Sequence, residues 1–379
     1  MSLARERSLK FTTKAIQVRN AQSIIMSHEK IKILGAGLSG LTAAINLAKS
    51  GYTVEVYEKN KDVGMRFNGD IQGLENWSDK KDIIEELREM NLDVDFDYTP
   101  FHSIILTNGS KAREVHLKKP LFYLSRRGPF SGTIDYSLKA QALKSGVNIH
   151  FQETLARNEA DIVATGPIVN EAVGMVKGIV FKADVEDTAI LAFNDKLAFK
   201  GYSYLLVMRG YGCLCTVVTI DEAGRINWYF ERTKEFFLKK ISFQIQTVRE
   251  VHGIGSFSLK NVTNGVTLLV GEAAGLQDFL WGFGMRFAFA SGYLAARSVI
   301  CKKDYEKIAE EHFGKRLRAG VINRWLMENV LSLNDYSALI NFPRLIENLY
   351  SMQNYDLLLQ TMYPLTLLSL KKRYLKLKS

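Results

Sequence analysis

The stretch from Ile31 to Lys59 constrains the fold of this chain more than any other. A short apolar run, Ile31 to Leu34, leads into the glycine pattern Gly35-Ala36-Gly37-Leu38-Ser39-Gly40. Apolar residues then recur at helical spacing up to Gly51, and a second apolar run ends at Glu58. This order predicts a strand, a tight turn, a helix and a second strand, which together make a βαβ unit of about 30 residues.

The three glycines of this pattern predict what the turn can bind. Gly35 permits a tight turn out of the strand, Gly37 lets a pyrophosphate approach the backbone, and Gly40 lets the helix pack on the strand. The helix N-terminus offers free N–H groups and its positive dipole end to phosphate. Glu58 lies 23 residues after Gly35, where it can accept from ribose hydroxyls. The alternative is a glycine-rich turn that binds nothing, and the motif alone does not separate NAD from FAD.

Composition narrows the class of protein without fixing its fold. The chain has 379 residues and a net charge of +10, which suits an acidic partner such as anionic lipid, a phosphorylated ligand or an acidic redox protein. Nucleic acid is disfavoured because the basic residues are scattered and no nucleic-acid motif occurs. The three cysteines and six histidines form neither a disulfide framework nor a metal-binding spacing, so we assign no metal and expect a reducing compartment.

The first 30 residues differ from the rest of the chain. They carry six basic residues and two acids, and they lack the apolar core of a secretory signal. We favour a natural start at Met26 over a transit peptide, and we expect residues 1–30 to be a flexible leader or a mis-assigned start.

The remaining elements follow from periodicity and turn residues. Leu74 to Leu92 is predicted as a helix, and Asn108-Gly109 as the turn of a β-hairpin. A helix is predicted over 134–144, and strands over 147–151 and 161–166. The later predictions are antiparallel strands within 175–230, a helix over about 233–250, a strand over 266–270, a small-residue helix after Met285, and only helices from 304 onwards.

Four separated motifs within residues 31–300 carry a resemblance to a known family. They are the GxGxxG unit with Glu58 and Gly64-x-Arg66, then Arg127-Gly128-Pro129, then Ala164-Thr165-Gly166, and finally Gly271-Glu272-Ala273-Ala274-Gly275 with Gly282 and Gly284. In this order the chain resembles the FAD-dependent oxidoreductases of the p-hydroxybenzoate-hydroxylase type, in particular the geranylgeranyl-reductase-like branch.

The resemblance implies FAD as the cofactor and an α/β fold with an α+β substrate region. A Rossmann-type FAD-binding domain (31–66, 124–170 and 262–300) would be interleaved with an antiparallel-sheet substrate domain (67–123 and 171–261), followed by a helical C-terminus (301–379). The cofactor-binding residues that it implies are Gly35, Gly37, Leu38, Ser39, Gly40, Glu58, Lys59, Arg66, Arg127, Thr165, Gly166, Gly271, Glu272, Gly282, Gly284 and Met285.

The fourth motif favours FAD over NAD. A simple NAD dehydrogenase has no need for a second glycine-acid loop far along the chain, whereas the longer flavin needs contacts at its ribityl chain and ring. Glu272 would contact the ribityl chain. The next helix would point its N-terminus, near Gly284 and Met285, at the flavin ring.

Departures from the family pattern leave the substrate open. Met65 replaces a second glycine, Phe279 replaces a proline, and the residues after Tyr211 lack the Trp and Pro of geranylgeranyl reductases. The resemblance implies an enzyme that passes hydride between flavin N5 and a small, apolar, isoprenoid-like substrate. Tyr211, Trp281 and Phe283 are candidates to line its cavity, although core packing also explains them. No general acid is identified.

The electron donor and two alternative functions follow from what the sequence lacks. No second GxGxxG occurs, so the flavin would be reduced by transiently bound NAD(P)H or by a reduced electron-carrier protein. One alternative is a flavin-dependent aromatic hydroxylase of the same fold. The other is a non-catalytic nucleotide-binding protein that docks on a membrane or a partner protein.

The C-terminal residues 355–379 are first apolar and then basic. Seven leucines precede Lys371, Lys372 and Arg373, and Pro364 is expected to break the apolar run so that it does not span a bilayer. A basic amphipathic end can lie on anionic lipid, whereas a helix that caps the domain is the plainer alternative. We therefore expect a cytoplasmic protein, free or peripheral to the inner membrane surface.

Overall fold

The predicted βαβ unit lies at the centre of a mainly parallel sheet. The computed structural model describes residues 30–240, 246–342, 349 and 352–374, so the predicted leader lies outside the described residues apart from Lys30. Strand β1 (Lys30–Leu34) pairs in parallel with β2 (Thr53–Glu58), and helix α1 (Leu38–Lys49) connects them.

The other strands follow β2 along the chain. They are β3 (Ile71–Glu75), β4 (Tyr98–Phe101), β5 (Ser103–Thr107), β6 (Ala112–His116), β7 (Phe122–Arg126), β8 (Asn148–Phe151), β9 (Ile162–Val163), β10 (Ala172–Lys182), β11 (Thr188–Ala192), β12 (Tyr202–Met208), β13 (Tyr211–Thr219), β14 (Gln246–Ser256), β15 (Thr263–Asn264) and β16 (Thr267–Leu269).

These strands form three sheets. The first has the order β15-β16-β9-β1-β2-β8, the second β14-β10-β13-β12-β11-β5-β6, and the third β3-β7-β4. The apolar residues of the first sheet, such as Ile31, Ile33, Val54 and Val56, are buried in the core beside α1, although β1 and β2 alternate apolar with polar residues. The second sheet is antiparallel except where β11 pairs with β5. The predicted fold class, a Rossmann-type domain with an antiparallel-sheet region, is confirmed.

The helices after α1 pack on the first sheet, pack on the second sheet, or follow the last strand in the chain. They are α2 (Ile83–Glu89), α3 (Ile134–Lys144), α4 (Ile226–Lys240), α5 (Met285–Cys301), α6 (Tyr305–Asn329), α7 (Ser337–Asn341) and α8 (Asp356–Arg373). The predicted helix over 134–144, the helix after Met285 and the helical C-terminal region are present. Among the described residues, no helix combines the length and apolarity needed to cross a membrane.

Several predicted elements are wrong. Leu74 belongs to strand β3, and the helix begins only at Ile83, where the Asp82 side chain accepts from the Ile84 N–H. The segment predicted as a strand over 225–230 is the start of α4, because its apolar residues recur at helical spacing. The predicted helix over 233–250 therefore ends at Lys240, and β14 follows. Helix α8 runs through Pro364 without a break.

Two glycine contacts fix the distance between α1 and α5. A Cβ at Gly292 of α5 would lie 2.2 Å from the Ser39 carbonyl oxygen, and a Cβ at Gly271 would lie 2.8 Å from Ser39 Oγ. The Gly271 N–H donates to Ser291 Oγ at 2.9 Å. Because α1 begins the nucleotide turn and α5 follows the fourth motif, this close packing brings the two predicted cofactor segments together.

Replacing Gly292 by alanine is expected to lower the free energy of unfolding by about 1–3 kcal/mol, because the added methyl group forces the two helices apart. Urea denaturation measures this change. Gly224→Ala is the matched control, since no atom lies within 4 Å of its Cβ position, and it should change the free energy by less than about 0.5 kcal/mol. Equal midpoints for both variants would contradict the close packing.

Candidate cofactor and substrate site

The turn from β1 into α1 has the geometry of a phosphate-binding loop. Gly35 has φ +106°, and its Cβ would lie 2.5 Å from the Ala164 carbonyl oxygen. A Cβ at Gly40 would lie 2.1 Å from the Gly35 carbonyl oxygen. Both positions require glycine because backbone approaches backbone. At Gly37 the reverse holds, since no atom lies within 4 Å of its Cβ position.

The N-terminus of α1 is open toward the same space. Gly37 is the N-cap and offers no side-chain acceptor, so no capping side chain covers the first turn. Leu38 and Ser39 at this end line a large cavity. Free N–H groups and the positive dipole end make this position suited to an anionic group such as a pyrophosphate.

Glu58 lies at the end of β2, beside this turn. Its Oε2 accepts from the Ala36 N–H at 3.0 Å, and its Oε1 accepts from the Asn60 N–H at 2.9 Å. These contacts hold the carboxylate on the wall of the cavity, together with Lys59. Each carboxylate oxygen retains acceptor capacity for a hydroxyl group, as a ribose contact requires.

Arg127 forms a buried ion pair beside the cavity. Its Nε and Nη2 each donate to Asp135 at 2.8 Å, and its Nη1 donates to Gln72 Oε1 at 3.0 Å. The guanidinium also lies over the Phe67 ring, 4.2 Å from its centroid. A Cβ at Gly64 would lie 2.9 Å from Asp135, so this glycine makes room for the pair. Arg127 therefore lines the cavity with its charge balanced by Asp135 and its position fixed by Gln72 and Phe67.

Arg66 and Glu272 bring the first and fourth motifs together. Arg66 Nη2 lies 3.5 Å from Glu272 Oε2, and half of the Arg66 side chain is exposed. Burial raises the pKa of Glu272, and the Arg66 guanidinium opposes that shift. The two side chains therefore form a charged contact between segments that are more than 200 residues apart.

The loop from Gly271 to Gly284 forms the far end of the cavity. Asp278 lies partly buried on the wall, where its Oδ1 accepts from the Leu280 N–H and its Oδ2 from the Trp281 N–H, both at 3.1 Å. The Tyr202 hydroxyl donates to the Trp281 carbonyl oxygen. Helix α5 follows with Gly284 as an N-cap that lacks a side chain, so its first turn is open as well.

A cavity of about 790 Å³ joins these features. One part is bounded by the nucleotide turn, Glu58 and Arg66. The other part, which we call the apolar chamber, lies between the second and third sheets and the loop after Gly271. It is lined by Phe122, Leu124, Leu191, Tyr204, Leu206, Val251, Leu280, Trp281 and Phe283.

Arg324 of α6 reaches the cavity from behind Leu280. Its Nε donates to Glu328 Oε1 at 2.5 Å, and its Nη2 donates to the Lys200 carbonyl oxygen at 2.8 Å. Arg373 at the end of α8 donates to Glu328 Oε2 at 3.1 Å, and the Tyr374 hydroxyl also donates to Glu328. A chain of buried polar contacts thus runs from the cavity wall to the end of α8.

Most of the residues implied by the resemblance lie on this cavity. The residues on its wall are Gly35, Gly37, Leu38, Ser39, Glu58, Lys59, Arg66, Arg127, Thr165, Gly166, Glu272, Gly282, Gly284 and Met285, with Trp281 and Phe283 in the apolar chamber. Gly40 and Gly271 lie behind the wall, where they allow close packing. Tyr211 does not line the cavity, because its ring packs against the Arg126 guanidinium at 4.3 Å. Their contacts with a bound cofactor stay predictions.

Several wall residues escaped the sequence analysis. Asn60 and Gln72 hold Glu58 and Arg127 in place, and Tyr202, Tyr204 and Asp278 contribute polar groups to the far end. The sequence offered one signal that Asp278 lies on the cavity wall, namely its position between the glycine-acid motif and Gly282. Nothing local distinguishes the two tyrosines from other strand aromatics.

The residues present fit FAD. The space left at Gly37, the two uncapped helix N-termini and the Glu58 carboxylate provide for a pyrophosphate, an adenosine ribose and a flavin ring along one continuous cavity. The cavity extends beyond the nucleotide turn to the loop after Gly271, which suits a dinucleotide that carries a flavin.

Comparison with known proteins agrees with this fold. Residues 33–71 match the family model of an NAD(P)-binding Rossmann-like domain. A 4,4'-diaponeurosporene oxygenase of Staphylococcus haemolyticus is 51% identical over 43 residues, which are 11% of this chain. That stretch spans 9% of the oxygenase, so most of that protein has no counterpart in the match.

Two solved structures are similar over most of the chain. A geranylgeranyl bacteriochlorophyll reductase-like protein of Thermoplasma acidophilum is 16% identical, with a TM-score of 0.67 over 91% of this chain and 99% of that one. A flavin-dependent brominase is 15% identical, with a TM-score of 0.61 over 86% of this chain and 93% of that one. The likeness confirms the fold that the four motifs implied.

Proposed function

We propose that this protein is an FAD-dependent oxidoreductase that acts on a largely apolar substrate. The observation that supports it best is the continuous cavity, in which a dinucleotide-binding turn opens into an apolar chamber. When bound, the flavin supplies or accepts a hydride at N5. The first turn of α1 would hold the pyrophosphate, Glu58 the ribose, and Glu272 with the first turn of α5 the ribityl and ring end.

The chamber walls favour an apolar, isoprenoid-like substrate. Aliphatic and aromatic side chains from β3, β7, β11 and β12 exclude water from this space, and polar groups are confined to its end near Asp278. The names of similar proteins point the same way, since they refer to diaponeurosporene and to a geranylgeranyl group. Side chains here would position a hydrocarbon chain rather than bind charge.

A hydroxylase that uses oxygen is the second candidate, favoured by the oxygenase among the similar sequences. The test is to reduce the FAD-loaded protein with dithionite without oxygen, and then to add a polyprenyl substrate alone, oxygen alone, or oxygen together with an aromatic or polyprenyl substrate. Flavin absorbance that returns with the polyprenyl compound alone supports a reductase. Return only with oxygen, accompanied by a hydroxylated product, would establish the hydroxylase, and a flavin that no donor reduces would leave a non-catalytic binding protein.

The donor of electrons is proposed to be NAD(P)H or a reduced carrier protein that docks transiently. The half-exposed Arg66 lies at the edge of the cofactor cavity, where a donor could approach. Reduction of the bound flavin by NADPH, NADH and a reduced ferredoxin should be compared under anaerobic conditions. A rate with one donor that exceeds the others by about tenfold or more would identify the class.

We propose that the outer face of α8 binds an anionic lipid surface. Leu357, Leu365 and Leu368 are 74%, 71% and 63% exposed. Their spacing, with Thr361 and Pro364 between them, places them on one face of the helix, whereas Leu359, Leu367 and Leu370 are buried. Basic residues follow in the sequence from Lys371 to Lys378, and the whole chain carries +10. An apolar helix face that is followed in the sequence by basic residues matches a membrane with acidic lipid.

The double substitution Leu365→Glu and Leu368→Glu is expected to weaken binding to phosphatidylserine-containing vesicles by at least about tenfold, because two apolar groups no longer enter the lipid. Co-sedimentation measures the bound fraction. Leu143→Glu, at a half-exposed leucine of α3, is the matched control. Equal binding of both variants would overturn the membrane proposal, and self-association that depends on the same leucines would assign the face to a second copy.

A further inference from the structure

The acids on the cavity wall differ in whether a cation neutralises them. Asp135 pairs with Arg127, and Glu272 lies beside Arg66. Within the part of the chain that the structure describes, Glu58, Asp70 and Asp278 are the cavity acids without an ion pair within 4 Å, and Glu58 is held beside the nucleotide turn by the Ala36 N–H. Asp70 is more deeply buried than Asp278, at 5% exposure, and its Oδ1 accepts from the Asn68 N–H.

Asp278 differs from Asp70 in being accessible and fixed. Its two oxygens each accept one backbone N–H, from Leu280 and Trp281, so the carboxyl group cannot rotate freely. Its neighbours in the loop are Leu280 and Trp281 of the apolar chamber and Gly282 of the predicted cofactor residues, so the loop that carries it is shared by both parts of the cavity. A titratable group on that loop can touch a substrate that extends toward the cofactor.

We propose that Asp278 transfers a proton to or from the substrate carbon next to the one that exchanges hydride. This inference rests on the proposed function. In the reducing direction the substrate's double bond accepts a hydride from reduced flavin at one carbon and a proton from Asp278 at the other. Two C–H bonds form, the π bond breaks, the flavin is left oxidised, and the Asp278 carboxylate regains a proton from solvent. NAD(P)H or a carrier protein then restores the reduced flavin.

The surroundings of Asp278 suit both protonation states. Burial raises the pKa of the Asp278 carboxyl to about 6, because the charged form loses its hydration. The ionisable groups that face it are Tyr202 from β12, Arg324 from α6 and Glu75 from β3. Burial also raises the pKa of Tyr202, so that hydroxyl stays neutral, and Glu328 neutralises Arg324.

The test compares two matched probes, farnesylamine and farnesol, by calorimetric titration of the full-length protein carrying FAD. The ammonium group should bind the ionised Asp278. Between about pH 5 and about pH 8 the ionised fraction of an acid with this pKa rises about tenfold, so farnesylamine should bind about tenfold more tightly at the higher pH. Farnesol, which carries no charge, should bind equally at both.

Two variants separate Asp278 from other titrating groups. Asp278→Asn should remove the pH dependence for farnesylamine while farnesol still binds, which also shows that the variant is folded. Asp184→Asn, at an exposed acid, should behave as the wild type. A pH dependence that survives in Asp278→Asn would assign it to another group and overturn the proposal.

The outcomes distinguish this inference from the proposed function. Farnesol binding without any pH dependence for farnesylamine in the wild type would overturn the role of Asp278 and leave the apolar substrate intact. Failure of the FAD-loaded protein to bind either isoprenoid would overturn both.

Discussion

Replacing Gly37 by aspartate is expected to abolish FAD binding, so that the purified variant lacks the visible flavin bands of the wild type. The backbone at Gly37 has φ −83° and ψ −176°, which any residue can adopt, and no atom lies within 4 Å of its Cβ position. The substitution should therefore fold normally. It would place a carboxylate against the first turn of α1, where it repels a pyrophosphate and occupies its space.

The measurement is the absorbance spectrum before and after reconstitution with FAD, and again after anaerobic dithionite. We expect the apparent affinity for FAD to fall by at least about a hundredfold, since steric exclusion adds to the repulsion. Gly224→Asp is the control, because that position is equally open and lies on the surface. If both variants bind FAD like the wild type, the turn is not the phosphate site. A wild type that shows no flavin bands after reconstitution would overturn the flavoenzyme proposal itself.

Replacing Asp135 by alanine is expected to lower the free energy of unfolding by about 3–5 kcal/mol, because the buried Arg127 guanidinium loses its counter-ion. Three donors lose their acceptor in this variant, namely Arg127 Nε, Arg127 Nη2 and the Gly128 N–H. Water can reach this pair only poorly, since the two side chains are 7% and 2% exposed.

Chemical denaturation of Asp135→Ala and of the wild type, each with and without FAD, measures this change in the free energy of unfolding. Glu231→Ala removes a surface partner of Lys234 on α4 and should change the free energy of unfolding by less than about 1 kcal/mol. A loss at Asp135 no larger than at Glu231 would contradict the view that Arg127 is held by this pair. Arg127 would then be available to contact the cofactor, as the family resemblance implies.

The sequence revealed the elements whose signals are local. The βαβ unit, the helix over 134–144 and the helix after Met285 each carry an uninterrupted period, with glycines at their boundaries. The β14 strand was missed because it contains few apolar residues, and it is specified by pairing with β10 along its whole length. The first two turns of α4 were predicted as a strand because their aromatic residues have strand propensity, and burial of Ile226, Tyr229 and Phe230 at helical spacing decides otherwise.

The candidate site was predictable in its cofactor part and not in its substrate part. The glycines and acids of the cofactor part lie in short motifs, and the turn that each motif forms can be predicted from its own residues. The apolar chamber is formed by strands from distant segments of the chain. No short sequence pattern therefore indicates which residues of these strands face the chamber. Tyr211 illustrates this limit, since its neighbours Gly210 and Gly212 resembled a substrate motif, yet its ring lies against Arg126.

The contacts from Arg324 through Glu328 to Arg373 have a thermodynamic consequence. They join the wall of the substrate cavity to the helix whose outer face carries the exposed leucines. If occupying the cavity shifts Arg324, the affinity of α8 for its own ligand changes by some factor, and linkage requires that this ligand change substrate affinity by the same factor. Under the membrane proposal, α8 would therefore act as an allosteric input as well as an anchor.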